Sequence, residues 1–188
     1  LERVLEGTED KGKLIIVDGV FSMEGDIADL PNILKLAKAY KARVMVDDAH
    51  AIGVLGQGGR GTAEHFGLED QVDLIMGTYS KSLAAIGGFV VGSRIVIDCI
   101  KHTGRSMIFS ASLPPALVAS VSAALDIIEE QPQLRTHLWK NTHKMLKGYK
   151  ELGYDTGTSE TPIIPIIIKD SMKTYEMCRL LFENGVFV

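Results

Sequence analysis

The sequence predicts an α/β protein with a mostly parallel sheet, because short β-branched runs alternate with amphipathic helical stripes and two of those runs end in acidic residues. Leu14 to Val17 is the first run, closed by Asp18-Gly19, and Val44 to Val46 is the second, closed by Asp47-Asp48. Continuous apolar strands of this kind belong to parallel sheets covered by helices on both faces. Between them Ile33, Leu34, Leu36, Ala37 and Tyr40 recur at helical spacing behind Pro31, a residue suited to a first helical turn.

Further along, Leu74 to Met76 predicts a third strand, Phe89 to Val91 a fourth after Gly87-Gly88, Ile95 to His102 a helix, and Met107 to Phe109 a short strand. From Pro114 a long helical stripe runs through Leu117, Val118, Val121, Ala124, Leu125 and Ile128 to Glu129-Glu130. Pro132 punctuates it, and a more polar helix follows from Gln133 to Leu152. A turn-rich linker, Gly153 to Pro162, then precedes a strand at Ile163 to Ile168 and a helix around Tyr175 to Phe182. The expected division is a large domain over residues 1–131 and the start of a small α+β C-terminal domain over 132–188.

Composition narrows the function classes. The 188 residues carry a net charge of −4, with 46% hydrophobic and 23% charged residues, as in ordinary globular proteins. A weakly acidic chain without a basic cluster lacks the phosphate contacts that nucleic-acid binding requires. The longest apolar stretch, Leu113 to Ile128, is broken by Ser120, Ser122 and Asp126, so no transmembrane segment is expected. Cys99 and Cys178 are far apart without metal-spaced companions, which predicts a reduced, cytoplasmic setting with both thiols buried. The chain opens Leu1-Glu2-Arg3 without an initiator Met and stops within the apolar run Gly185-Val186-Phe187-Val188, so it is expected to be a fragment.

Two motifs carry chemistry. Asp47-Asp48-Ala49-His50 sets two acids and an imidazole at the carboxyl end of a predicted parallel strand, the edge where open α/β sheets collect ligands. The bland alternative is that Asp47 caps a turn and His50 is solvated. A metal reading with His65 as a further ligand lacks a recognisable third and fourth ligand. The second motif, Gly77-Thr78-Tyr79-Ser80-Lys81-Ser82, also follows a predicted strand. It is not a nucleotide P-loop, which would need glycine where the chain has Ile75 and Ser80. Most lysines are solvated surface charges. The apolar neighbours Leu83, Ala84, Ala85 and Ile86, however, predict a setting for Lys81 that disfavours its ammonium form, as a Schiff-base nucleophile requires. Gly56 to Gly61 spells G-x-G-x-x-G in the wrong context, nine positions after the strand and with no apolar-faced helix opening at Gly61, so it reads as a flexible loop.

Taken in order, Asp18 to Asp26, Val46 to His50, Gly53 to Gly61 and Gly77 to Ser82 resemble the α-oxoamine synthases, fold-type I transferases that use pyridoxal 5'-phosphate (PLP). Ile108 to Pro115 and Thr161 to Pro165 look like family segments too, so the resemblance runs nearly the whole length. Within the family, Val72 to Leu83 and Gly87-Gly88-Phe89 are most similar to the bacterial serine palmitoyltransferases. The resemblance implies the fold-type I architecture, with residues 1–131 in the PLP-binding large domain, and a homodimer in which Ser110 to Ser112 contact the partner's cofactor.

It also implies roles for individual residues. Asp47 would hold the proton on the pyridine nitrogen, a charge pair worth about 4 kcal/mol at 4 Å in an effective dielectric near 20. His50 would hydrogen-bond the ring's phenolic oxygen and orient the substrate, and Ala49 would leave room for the ring. Lys81 would form the Schiff base and then act as the base at Cα. Thr78 and Ser80 would bind the phosphate, and Ser22 is a further cofactor-pocket residue.

The implied reaction is decarboxylative condensation of an amino acid, expected to be L-serine, with an acyl-CoA, expected to be palmitoyl-CoA, as in the first step of sphingolipid synthesis. Glycine with acetyl-CoA (2-amino-3-ketobutyrate CoA ligase, a glycine C-acetyltransferase) and alanine with pimeloyl-CoA (8-amino-7-oxononanoate synthase) are the alternatives inside the family. Outside it stand a non-catalytic partner subunit, against which Lys81, Asp47 and His50 all argue, and a metal-dependent hydrolase. The family's glycine-containing phosphate loop and ring-stacking residue are expected before Leu1 and its carboxylate-binding arginine beyond Val188. The stretch alone is therefore expected to be inactive and to bind PLP poorly.

Overall fold

A computed structural model of the chain describes residues 1–8 and 11–188. Its centre is a four-stranded sheet in the order β1 (Leu14–Asp18), β2 (Arg43–Asp47), β3 (Leu74–Thr78), β4 (Gly88–Gly92). The first three strands are parallel and β4 runs antiparallel to β3. Around it lie α1 (Glu2–Glu6), α2 (Leu30–Ala39), α3 (Thr62–Phe66), α4 (Arg94–Thr103), α5 (Arg105–Ile108), α6 (Pro115–Glu130), α7 (Pro132–Glu151) and α8 (Ser171–Glu183). Among the described residues no helix is long and apolar enough to cross a membrane.

Helix α2 crosses from β1 to β2. The Asp29 carboxylate accepts the Asn32 amide at its start, and Pro31 occupies the first turn, where its missing N–H costs nothing. Leu30, Leu34 and Ala37 lie along its buried side and pack on Ile15, Val44 and Val46. Alternation along each strand then fixes what the other face carries. Ile15 pairs with Val44, Val17 with Val46 and Val46 with Ile75, all on the α2 side, so Asp18, Asp47 and Thr78 share the opposite face at the carboxyl edge.

Several expectations need correction. The β1 run is covered on one face only, with Leu14 and Ile16 more than half exposed, because no described element packs over them. Residues 107–109 do not form a strand: the amides of Met107 and Ile108 both donate to the Gly104 carbonyl, and a helical turn forms where no open strand edge lies alongside. Residues 163–168 are extended but unladdered, their polar groups going instead to Ser159 and Asp155. Both cysteines are exposed, since α4 and α8 have no buried residue of their own.

Leu30 is fully buried between α2 and the sheet. Its replacement in Leu30→Ala is expected to cost about 2–5 kcal/mol, as a transfer loss plus a cavity, read as a lowered midpoint in denaturant unfolding.

Candidate active site

Both motifs fall at the carboxyl edge of the parallel strands. Asp47 ends β2, and one carboxylate oxygen accepts the Ala49 amide at 3.0 Å, a short-range bond that starts the turn. The next residue, Asp48, donates its own amide to the Met76 carbonyl of β3 at 2.8 Å, and its carbonyl accepts from Ala51 and Ile52. These bonds wind residues 48–52 into a turn that presents His50, half-buried, above the sheet edge. Beneath it Ala51 and Leu55 are buried with Val20 in a small apolar cluster backed by Trp139.

The lysine sits on the turn between β3 and β4. The Tyr79 amide donates to the Gly87 carbonyl, and the Ala85 amide to Tyr79, closing a loop whose Leu83 and Ala85 are buried against Val121 of α6. Thr78 Oγ1 lies 2.9 Å from Ser80 Oγ and donates to the Gly87 carbonyl. Gly77 has to be glycine here, since a Cβ would lie 2.5 Å from the Phe89 ring that stacks with Tyr79. Ser82 Oγ donates to the Ile52 carbonyl at 2.7 Å, tying the lysine turn to the histidine turn.

The tie brings Lys81 and His50 onto one cleft of about 260 Å³, lined also by Ala49, Val54, Ser82 and, from the far end of the chain, Thr161, Pro162 and Ile163. Thr161 is buried and donates to the Gly25 carbonyl at 2.9 Å, while Thr158 donates to the Asp26 carboxylate. Burial, reinforced by the nearby Lys81 charge, holds the His50 imidazole below its ordinary pKa against the opposing pull of Asp18 and Asp47.

Lys81 itself is exposed: Leu83 and Ala85 turn inward and leave its side chain over the cleft, contrary to the apolar setting its neighbours in sequence suggest. Ser22 lies exposed on the turn after β1; like Asp47, Thr78 and Ser80, it is not among the residues that line this cleft. The glycine loop is not flexible in form but bonded throughout. Its Gly58 and Arg60 amides donate to Glu64, Gly53 to Gly59, Gly61 to Leu55, and Arg135 reaches the Gln57 carbonyl. Helix α3, one turn long, does open directly after Gly61.

Sequence reading gave Val54 no role and, although Thr161 to Pro165 look like a family segment, it assigned the 161–163 stretch, which carries no titratable group, no place at the site. It also gave no role to Asp48. Among the described residues no three His, Cys, Asp or Glu side chains gather as a metal site.

The donor set matches PLP group by group. A half-buried carboxylate suits a protonated pyridine nitrogen, an imidazole suits a phenolic oxygen, paired hydroxyls suit a phosphate, and a lysine suits an aldehyde.

Comparison with known proteins agrees with this arrangement. The family model for aminotransferase class I and II matches residues 1–188. A serine palmitoyltransferase of Sphingobacterium spiritivorum is 53% identical over 179 residues, covering 95% of this chain and 45% of that protein. An 8-amino-7-oxononanoate synthase of Thermoanaerobacter pseudethanolicus is 51% identical over 189 residues, 100% of this chain and 48% of that protein. The chain thus spans about half the length of the curated relatives it matches. Among solved structures, the Sphingomonas wittichii serine palmitoyltransferase superposes with a TM-score of 0.94 at 35% identity, over 100% of this chain and 48% of that one. A structure of SPT with PLP internal aldimine gives the same figures. The chain therefore belongs to the aminotransferase class I and II family and shares the fold-type I architecture of its structural relatives.

Proposed function

We propose that the protein is a PLP-dependent α-oxoamine synthase that condenses L-serine with a long-chain acyl-CoA, palmitoyl-CoA in the first instance, with loss of carbon dioxide. The observation that carries this reading is the convergence of Lys81 and His50 on one cleft at the sheet edge that also bears Asp47, Thr78 and Ser80. When bound, PLP supplies an electron sink for negative charge developing at the substrate Cα.

The chain's own residues supply the rest. Asp47 keeps a proton on the ring nitrogen by its charge, with its orientation set by the Ala49 amide. Ser80 would donate to the phosphate, and Thr78 would do so by turning its one hydroxyl proton away from the Gly87 carbonyl. Lys81 would hold the cofactor through Nζ and would move the proton at the substrate Cα. His50, kept neutral at pH 7 by burial and by Lys81, hydrogen-bonds an oxygen of the cofactor or the acyl carbonyl without adding positive charge beside the lysine. Val54, Pro162 and Ile163 give the cleft an apolar wall suited to an acyl chain.

On this reading residues 1–131 belong to the PLP-binding large domain and 132–188 begin the smaller one, with the break between α6 and α7. The protein works in the cytoplasm as a homodimer. A second reading, alanine with pimeloyl-CoA, is favoured by the 8-amino-7-oxononanoate synthase relative matched over the whole of this chain.

Product analysis decides between the two: L-serine with palmitoyl-CoA is expected to give 3-ketodihydrosphingosine, whereas turnover confined to L-alanine with pimeloyl-CoA would select the second. Lys81→Ala is expected to abolish the visible absorbance band of the PLP-loaded enzyme, and a band that persists in this variant would remove Lys81 from its role. For His50, NMR titration is expected to give a midpoint below the ordinary 6.5. Because the unfolded chain then takes up the proton first, the His50 contribution to stability is full above pH 6.5 and falls as the pH drops toward the folded midpoint.

A further inference from the structure

The best-buried charged side chain beside the site is one the proposed chemistry does not use. Asp48 is fully shielded from solvent, and its Oδ2 accepts the Thr62 amide at 2.9 Å. Its other oxygen, Oδ1, and the Thr62 hydroxyl are both buried and have no hydrogen-bond partner among the described residues.

The backbone around this carboxyl is built to admit it. A Cβ on Gly19 would lie 2.1 Å from Asp48 Oδ1 and 2.2 Å from Thr62 Oγ1, and a Cβ on Gly61 would lie 2.2 Å from Asp48 Oδ2. Gly61 also has a φ of +100°, a conformation that disfavours any side chain. Three segments therefore meet on one carboxyl group: the end of β1 at Gly19, the end of β2 at Asp48 itself, and the start of α3 at Gly61-Thr62. Asp47 and His50 flank that carboxyl in sequence, and the carbonyl of Asp48 is the acceptor that winds the histidine turn.

We propose that Asp48 is a positioning residue of the active site, its buried carboxyl clamping Gly19, Gly61 and Thr62 so that Asp47 and His50 are held at fixed places on the sheet edge. The clamp rests on the cofactor reading only for its purpose; its geometry stands without it. Its cost also points to function. Burial, with a smaller push from Asp47, raises the Asp48 pKa, and its contact with Thr62 only partly restores it. A carboxyl with a raised folded pKa favours folding below the unfolded value and loses that contribution as pH rises through the folded one. Once ionised, then, buried Asp48 works against stability. A buried acid that costs stability and is packed by two glycines is a feature that folding alone does not call for.

The test uses the protein at its natural length, with Asp48→Ala, which removes the acceptor of the Thr62 amide, and Asp48→Asn, which keeps size and that acceptor and so serves as the conservative rescue. Leu30→Ala serves as the control for general destabilisation. In the absence of PLP, Asp48→Ala is expected to move the NMR titration midpoint of His50 back toward 6.5, as the turn loses its anchor and the imidazole its burial. Asp48→Asn should leave that midpoint in place and the unfolding midpoint unchanged or higher, and Leu30→Ala should not shift His50.

With PLP, absorbance titration is expected to show affinity about tenfold weaker in Asp48→Ala, the equivalent of one lost hydrogen bond. An unshifted His50 in Asp48→Ala overturns the proposal, as does a shift that Leu30→Ala reproduces. If the unsubstituted protein binds no PLP, the cofactor reading falls while the His50 measurement still decides the role of Asp48.

Discussion

The pairing register of three parallel strands is the constraint on which the site depends. Asp18 lies opposite Asp47, and Asp47 opposite Met76, so side-chain alternation puts Asp18, Asp47 and Thr78 on one face, away from α2. A slip of one residue in β2 would turn Asp47 into the apolar layer formed by Leu30, Leu34 and Ala37, and would expose Val44 and Val46 in its place. The hydrophobic contacts of α2 thus do more than stabilise the sheet. By forbidding that slip they aim the acidic residue at the edge where a ligand can reach it.

Register alone does not assemble a cleft; the loops do, through bonds between segments distant in sequence. Ser82 to Ile52 joins the lysine turn to the histidine turn, Asp48 joins the histidine turn to α3, and Arg135 joins the glycine loop to the end of α6 through Gln57 and Ile128. Each satisfies a backbone group that would otherwise be left without a partner at a crowded sheet edge. The result is a set of loops with little regular structure whose side chains nevertheless hold defined positions.

What could be read from the sequence follows the same division. The four strands and helices α2, α4, α6 and α7 announce themselves, because β-branched runs and 3.6-residue stripes are local patterns. Asp47, His50, Thr78, Ser80 and Lys81 are legible because each lies within a few residues of a strand end. The place of Thr161 to Ile163 is not, since nothing local marks an apolar segment as the wall of a site built from residues far back in the chain. The exposure of Lys81 and of both cysteines escaped for a related reason: apolar neighbours in sequence do not say which way a turn faces or which helix has a covering partner. The short strands expected at 107–109 and 163–168 had the right composition and no edge to pair with.

The hydrogen bond from Thr161 to Gly25 spans 136 positions of chain. A contact of that separation can form only once the whole intervening stretch has been made, because both ends must exist before the loop between them can close. Until Ile163 has been added, the lysine and histidine turns can form on the sheet, but the cleft between them has only one wall. Nascent or truncated chains ending between α6 and residue 160 therefore present the chemical groups of the site open to solvent. Enclosure of the cleft thus depends on a contact between distant segments and not on the sheet alone.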